Sequence, residues 1–393
     1  MIADWTFPTQ IILGNGRVSA LEGWLQNNNL HSLMIITDHK LTTTTIFKKF
    51  LHHIDKMSIA FGVFSDLNGR ADKDVLARSV GLFQDGGFDS IIAFGGGSVI
   101  DLAKLTALVL VKKEAPSYVY HTSHISQKPP VIVIPTLAGS GTEIQETVYL
   151  KSDIITNEQK ISDERLKPSL VIYDSALTSK APSSLAAGAG MNAFVNAIDS
   201  WFTPEFNPPA DALAIETIQL ILKYLPITIH DPNNIEAQMH IQTASICGAM
   251  AATKGIGPTA ALAYAISHYY DTQFDVTAAV LLPHVLAYYQ SSNQERLELL
   301  NEKLSIKKGF NGLANILLEL RQSIGIPSKL NRLAKGQKIK LKDKAFMNKR
   351  TLQLMNSQGP GIRLTKKAVS EILHAAIIGK IKRNNRTITP LSE

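Results

Sequence analysis

Five short apolar segments punctuate the first 174 residues: HSLMIITD (31–38), MSIAFGVF (57–64), FDSIIAFGGG (88–97), PPVIVIPT (129–136) and PSLVIYD (168–174). Their length and β-branched content suit buried strands, and the stretches between them read as helices. Apolar strands separated by helices build a mostly parallel sheet covered on both faces. An earlier segment, TQIILG (9–14), is expected beside this sheet or paired at its edge. After about residue 178 the strands stop. SSLAAGAGMNAFVNAIDSWF, PADALAIETIQLILKYL, NIEAQMHIQTASICGAMAA, TAALAYAISHYY and the terminal TKKAVSEILHAAIIGKIKR all carry helical periodicity, as do segments around 292–302 and 309–323. The expected fold class is α/β plus all-helical: an amino-terminal α/β domain over residues 1–178, an all-helical domain over 179–393, and a cleft between them, where pockets concentrate.

Composition supports a large core. Of 393 residues, 45% are hydrophobic and 19% charged, which excludes a disordered or collagen-like chain. A single cysteine, Cys247, excludes an intramolecular disulfide and a thiolate zinc cluster. No run of 18 residues is uninterruptedly apolar, and MIADWTFPTQIILGNG lacks a basic region followed by an apolar core. Neither a membrane span nor a signal peptide is expected, and the cytoplasm is the expected compartment. The formal net charge is +7, and basic residues thicken over 329–350. Without aromatic interleaving this stretch reads as a solvated face, so nucleic acid is not an expected partner.

Two loops carry a nucleotide signal. In FGGGSVIDLAKLTALVL (94–110), a buried strand ends in three glycines and turns directly into a helix. Gly95, Gly96 and Gly97 allow close backbone approach, while Ser98 and the first helical amides present donors to a phosphate. Asp101, early in the helix, suits its dipole and can fix the loop. The second loop, PTLAGSGTEIQ (135–145), follows the next strand and offers Thr136, Gly139, Ser140, Gly141 and Thr142. Asp38, at the end of the strand in ITDHKL, is placed to accept both hydroxyls of an adenosine ribose and to repel a 2′-phosphate, which favours NAD(H) over NADP(H). The same residue also reads as a helix cap, and the glycines as a tight structural turn.

Together GGGSVIDLAK, IPTLAGSGTE, GMNAFVNAID, NPPADALAIE and VLLPHV resemble the iron-containing (group III) alcohol dehydrogenase family, more distantly glycerol dehydrogenase and dehydroquinate synthase. The resemblance runs from ILGNG near the start to MNSQGPGIRLTKKAVSEIL near the end. It implies a dehydroquinate synthase-like fold, with a Rossmann-like nucleotide-binding domain and a helical domain, a divalent metal and an alcohol, aldehyde or ketone substrate. A homodimer or larger assembly is also implied. Asp38, Gly95, Gly96, Gly97, Ser98, Asp101, Thr136, Gly139, Ser140 and Gly141 match the family's nucleotide half.

The catalytic half departs from the pattern. The family's metal aspartate falls at Asn192 and its first metal histidine at Asn196, one helical turn on. Within GIGPTAALAYAISHYYDTQFD (255–275), the other two ligand histidines fall at Ala260 and Phe274, and a further active-site histidine at Tyr264. Asparagine oxygens are neutral and weak donors, and alanine and phenylalanine offer none, so neither iron nor zinc is expected in this position. His268 and His284 read as packed histidines rather than displaced ligands. Maleylacetate reductases resemble this family, also carry asparagine at the position of Asn192, and work without metal, but they keep histidines near the other positions.

Hydrogen-bond donors can take over part of what a metal does for a carbonyl. The candidates are Tyr264 as proton donor, Asn192 and Asn196 as carbonyl or hydroxyl binders, and Lys254 in AATKGIG. Tyr264 also reads as core, and Lys254 as a helix-end cation. The leading expectation is an NAD(H)-dependent oxidoreductase working without the family metal on a small carbonyl or alcohol. The alternative is a non-catalytic relative that binds a nucleotide, ligand or protein.

Overall fold

A computed structural model describes residues 9–111, 127–150, 159–333, 339, 344–356, 364–383 and 386–388. The chain divides into two compact units between Ala181 and Pro182.

In the first unit the order is β1 (Gln10–Gly14), α1 (Ala20–Asn27), β2 (Ser32–Ile36), α2 (Thr45–Lys56), β3 (Ala60–Phe64), α3 (Lys73–Gly86), β4 (Ser90–Gly95) and α4 (Gly97–Val111). Then follow β5 (Val131–Pro135), β6 (Thr147–Leu150), β7 (Gln159–Ser162), β8 (Leu170–Asp174) and α5 (Ser175–Thr178). Six strands form one sheet in the order β1-β8-β5-β4-β2-β3, and every pairing is parallel. β1 is the edge strand that TQIILG suggests, paired along its length with β8.

Helix starts follow local chemistry. Thr44 caps α2 by accepting the Phe47 amide, Asp72 caps α3 through Val75, and Gly87, with φ 62°, ends α3. Ile92, Phe94, Ile132, Ile134 and Ile172 line one core, into which α2 delivers Phe47 and Phe50. The Phe50 and Phe94 rings stack at 4.5 Å, and burying each such side chain stabilises the unit by about 2–3 kcal/mol. Between β5 and β8 the chain makes an antiparallel pair, β6 with β7, that the apolar pattern does not announce.

The second unit contains α6 (Ser183–Phe202), α7 (Pro208–His230), α8 (Ile235–Ala251), α9 (Pro258–Tyr270), α10 (Phe274–Ser292), α11 (Gln294–Lys303), α12 (Gly309–Ser323), α13 (Lys344–Asn356) and α14 (Lys366–Ile378). α6 is buried along most of its length because small residues let its neighbours close in. A Cβ at Gly190 would meet Leu225 of α7 at 2.5 Å, and one at Gly248 of α8 would meet the Ala193 carbonyl oxygen at 2.9 Å. By length and composition α7 could cross a membrane, but it packs along α6 and α8.

One expectation needs correction. The strands do not stop at 178: β9 (Ile381–Arg383) and β10 (Arg386–Ile388) pair antiparallel. The terminal helix ends at Ile378 because Gly379 takes the left-handed conformation, φ 71°, which frees the next residues for a strand. VLLPHV, to which no element was assigned from sequence, lies inside α10, a 19-residue helix that runs through Pro283. The basic stretch 329–350 and the motif MNSQGPGIRL lie in part outside the described residues.

Candidate active site

The first unit builds its site at the carboxyl ends of the strands. From β2 the chain moves outward to β3, then returns past β2 to β4 and continues to β5 and β8. Strand order therefore reverses between β2 and β4, the position where open α/β sheets bind ligands. The register pairs Ile36 with Ala93, so Asp38 and Gly95 each stand two residues beyond the same pair. Asp38 is half-buried, and its Oδ1 accepts the Leu41 amide at 3.0 Å, closing the turn ahead of the short Leu41–Thr43 helix, whose N-cap position is held by Lys40. Its Oδ2 has no hydrogen bond among the described residues, so this turn and ribose binding are compatible.

The glycines of β4 and α4 serve close packing. A Cβ at Gly95 would meet Val99 Cγ2 at 2.7 Å, and one at Gly97 would meet Ser140 Cβ at 3.4 Å and Thr142 Cγ2 at 3.5 Å. The two glycine loops thus touch. Gly139 (φ 140°) and Gly141 (φ 78°) give the second loop a path that side-chain-bearing residues rarely follow. The Thr136 amide donates to the Gly95 carbonyl at 3.1 Å. The amides of Gly97 and Ser98 open α4 with no carbonyl a turn back to bond, whereas those of Val99 and Ile100 already bond the Gly96 carbonyl; the first two, with the half-buried Ser98 side chain, edge this crevice. A dinucleotide pyrophosphate fits this arrangement: the backbone is bare at Gly96 and Gly97, and the helix dipole favours an anion.

Beneath the loops lies a charged layer of which sequence reading named only Asp101. Asp101 accepts a hydrogen bond from the Thr142 hydroxyl. Glu143, fully buried, accepts from Ser140 Oγ at 2.7 Å and from the Tyr173 hydroxyl. Lys104, 1% exposed, donates to the carbonyls of Thr142 (2.9 Å), Gln145 (2.7 Å) and Thr147 (3.4 Å). Burial pulls its ammonium down to about 8, against the opposing pull of Asp101 and Glu143. One signal was present in sequence: Lys104 and Asp101 are the only charges in an otherwise apolar helix. At the far side of the sheet, Asp174 binds the amides of Gly16 and Val18, fixing the GNG turn after β1.

The second unit gathers the catalytic candidates around one stripe of α6. Gly188, Asn192, Asn196 and Asp199 share a helix face. At one end, Gly188 lies against Gln273, Asp275 and Val276 at the start of α10, with Cβ distances of 3.3–3.4 Å. At the other end, Asp199 binds the start of α9, taking the Ala260 amide at 3.0 Å and the Thr259 hydroxyl at 2.8 Å. Only glycine fits at 257, where a Cβ would stand 2.2 Å from that of Asp199. One turn along α9 from Ala260, the Tyr264 ring lies against Phe274, the first residue of α10, at 4.2 Å and tilted by 35°. Asn192 and Asn196 thus stand on α6 between Gly188, which meets the start of α10, and Asp199, which holds the start of α9. Asn192 is buried; Asn196, Tyr264 and Phe274 are half-exposed.

Burial raises the Asp199 carboxyl to about 7, although its three donors pull the other way. Lys254 belongs elsewhere. Its ammonium, with no exposed side-chain surface, pairs with Asp211 Oδ1 of α7 at 2.9 Å. Arg296 holds Asp211 Oδ2 at 2.8 Å and covers the Trp201 ring at 4.0 Å. A lysine committed to a carboxylate is a structural cation, and the catalytic assignment from AATKGIG gives way to that role. His284 is buried on α10, and its imidazole is pushed down to about 3 by burial and by Arg321, so it stays neutral.

A divalent ion does not fit the residues at the family's ligand positions. Two neutral amides, a methyl group and an aromatic ring packed against a tyrosine cannot offset its dehydration. Among the described residues, no group of three histidine, cysteine or acidic side chains is arranged to hold a metal.

The α/β sheet with its switch-point crevice, and the helical unit after it, place the chain in a family. It belongs to the iron-containing alcohol dehydrogenases: models of that family's two parts match residues 8–175 ("Iron-containing alcohol dehydrogenase") and 186–377 ("Fe-containing alcohol dehydrogenase family, C-terminal"). "Probable alcohol dehydrogenase EutG" of Escherichia coli (strain K12) is 27% identical over 332 residues, 84% of each chain. An NAD-dependent methanol dehydrogenase of Bacillus methanolicus is 25% identical over 337 residues, 83% of this chain and 88% of the other. The crystal structure of a 1,3-propanediol oxidoreductase matches with a TM-score of 0.86 and 24% identity, over 96% of this chain and 100% of that one.

Proposed function

We propose that this chain is an NAD(H)-dependent oxidoreductase that interconverts a small alcohol with its aldehyde or ketone, without a metal at the family's position. The observation that carries the reading is the meeting of Gly97 with Ser140 and Thr142 at the strand-order reversal, beside Asp38. Asp38 would hold the adenosine ribose; Gly95, Gly96, Gly97, Ser98, Gly139 and Ser140 would hold the pyrophosphate. The bound nicotinamide supplies or accepts the hydride.

The helical unit supplies the groups that manage the oxygen. Asn192 and Asn196 orient the carbonyl through their amides. Tyr264 gives a proton to the carbonyl oxygen as carbon receives the hydride, and the resulting phenolate regains a proton from water. In the alcohol direction each transfer reverses. The Tyr264–Phe274 pair supports the metal-free part, because an aromatic ring occupies a ligand position.

Fluorescence titration of chelator-treated protein with NADH and NADPH tests the cofactor half. Saturable binding with a preference for NADH is expected, and no binding of either would refute it. The same ligand replacements also suit a chain that binds nucleotide without turnover. NADH binding, with no oxidation of NADH by any small aldehyde or ketone, would select that second reading.

A further inference from the structure

We infer that Asp199 is a positioning residue for the oxygen chemistry, its carboxylate fixing the start of α9 against α6 so that the Tyr264 hydroxyl meets a carbonyl held by Asn192 and Asn196. The inference rests on the roles proposed for those three residues and adds to them a side chain that acts only through α9.

α9 has no cap of its own. Its N-cap residue is Gly257, which has no side chain to offer, and its first helical residue is Pro258, which has no amide hydrogen. The Ala261 amide is the first to find a carbonyl in its own segment, that of Gly257, at 3.0 Å. The two amides left open at this helix start, Thr259 and Ala260, both turn to Asp199. The Ala260 amide reaches Oδ2 at 3.0 Å, and the Thr259 hydroxyl reaches Oδ1 at 2.8 Å. The same arrangement rules out a capping side chain at 257, whose Cβ would stand 2.2 Å from that of Asp199.

Without Asp199, a serine or aspartate at 257 could close these amides locally. The distant cap instead buries a carboxylate, 2% exposed, which costs stability unless its hydrogen bonds compensate. What it adds is register between two helices. Asn196 precedes Asp199 on α6 by about 4.5 Å along the axis, and Tyr264 follows Ala260 on α9 by about 6 Å. α9 starts at Asp199, near the end of α6, and the chain then reaches Gly188, near the beginning of α6, at the start of α10. The two packed helices therefore run in opposite senses, and the clamp sets how far along α6 Tyr264 stands from Asn196. Misplacing a reacting group by about 1 Å costs on the order of a hundredfold in rate.

The test is a double-mutant cycle on kcat. NADH oxidation is followed with whichever carbonyl, from a panel of small aldehydes and ketones, the wild type turns over fastest. Asp199→Ala removes both acceptor oxygens and should lower kcat at least about tenfold, with NADH affinity within about twofold. In the Tyr264→Phe background the same substitution should change kcat by less than about twofold, because its effect passes through the tyrosine. Asp199→Asn keeps an acceptor for the Ala260 amide and should hold kcat within about threefold. A substitution that merely loosened the helical unit would slow both backgrounds alike.

If Asp199→Ala does not fold, Thr259→Val takes its place. It removes one donor to the carboxylate, and its kcat loss of about threefold or more should likewise vanish beside Tyr264→Phe. Unchanged kcat in the folded variant, equal losses with and without the Tyr264 hydroxyl, or an Asp199→Asn chain as slow as Asp199→Ala would each overturn the inference and leave the catalytic reading standing. A wild type without turnover, or a Tyr264→Phe chain as fast as the wild type, would defeat that reading and this inference together.

Discussion

Tyr264 and Phe274 pack ring against ring in a tilted pair, centroids 4.2 Å apart and planes inclined by 35°, joining α9 to the first turn of α10. In the proposed reading Phe274 takes the place of the family's last metal histidine, and the tyrosine rests on that ring. The Tyr264→Phe substitution preserves this pair and removes only the hydroxyl. It should lower kcat by about a hundredfold, the usual scale for losing a positioned proton donor, while NADH affinity and Tm stay unchanged. Equal turnover in the variant would remove Tyr264 from the chemistry.

Restoring the four donors tests whether these positions converge. A variant carrying Asn192→Asp, Asn196→His, Ala260→His and Phe274→His should bind one zinc ion per chain, measured by metal analysis after gel filtration. The wild type grown and purified alongside should retain far less. A folded quadruple variant that binds no zinc would mean that the packing around α6 does not bring the positions within coordination distance.

Gly95 and Gly97 separate stability from binding. The Gly95→Ala methyl would press on Val99 and should cost about 1–3 kcal/mol in urea unfolding. A methyl at Gly97 meets Ser140 and Thr142 only at ordinary contact distance, and alanine is the better helix former. Gly97→Ala should therefore fold normally yet bind NADH at least about tenfold more weakly, because the methyl occupies space the phosphates need. Retained affinity in Gly97→Ala would argue that the glycines are structural alone.

Asp199 makes stability depend on pH in a direction opposite to most carboxylates. Its folded value, about 7, lies above the ordinary 3.8 because burial penalises the charged form. The folded state therefore holds the proton more tightly, and this contribution is fully present below about pH 4 and lost as pH rises through 7. Unfolding free energy of the wild type minus that of Asp199→Asn should fall by about 2–4 kcal/mol between pH 4 and 8. A difference that grows with pH would show a salt-bridged carboxylate instead.

Much of this architecture is written locally in the chain. HSLMIITD, FDSIIAFGGG and PPVIVIPT announce their strands because each is a short, continuous apolar run ended by turn or capping residues. SSLAAGAGMNAFVNAIDSWF spans the helix it suggests, Ser183–Phe202. Features that depend on distant partners were not legible. No element was assigned to VLLPHV from sequence; it lies in α10, which runs through Pro283 and packs on α6, α9 and α14. Lys254 looked available because nothing near it in sequence names Asp211, 43 residues away, as its partner. Lys104 escaped notice for the same reason, since its acceptors are backbone carbonyls some 40 residues on. The asparagine spacing at 192 and 196 was plain from sequence, but the anchoring of the same helix face to α10 at Gly188 and to α9 at Asp199 depends on partners about 60 or more residues away.

The central claim is hydride transfer without the family metal. Its most direct measurement is NADH oxidation by protein stripped with a strong chelator and shown free of metal by elemental analysis, across a panel of small aldehydes and ketones. The account predicts saturable turnover with at least one carbonyl, unchanged when zinc or iron is added back. Activity that vanishes on chelation and returns with added zinc or iron would contradict it.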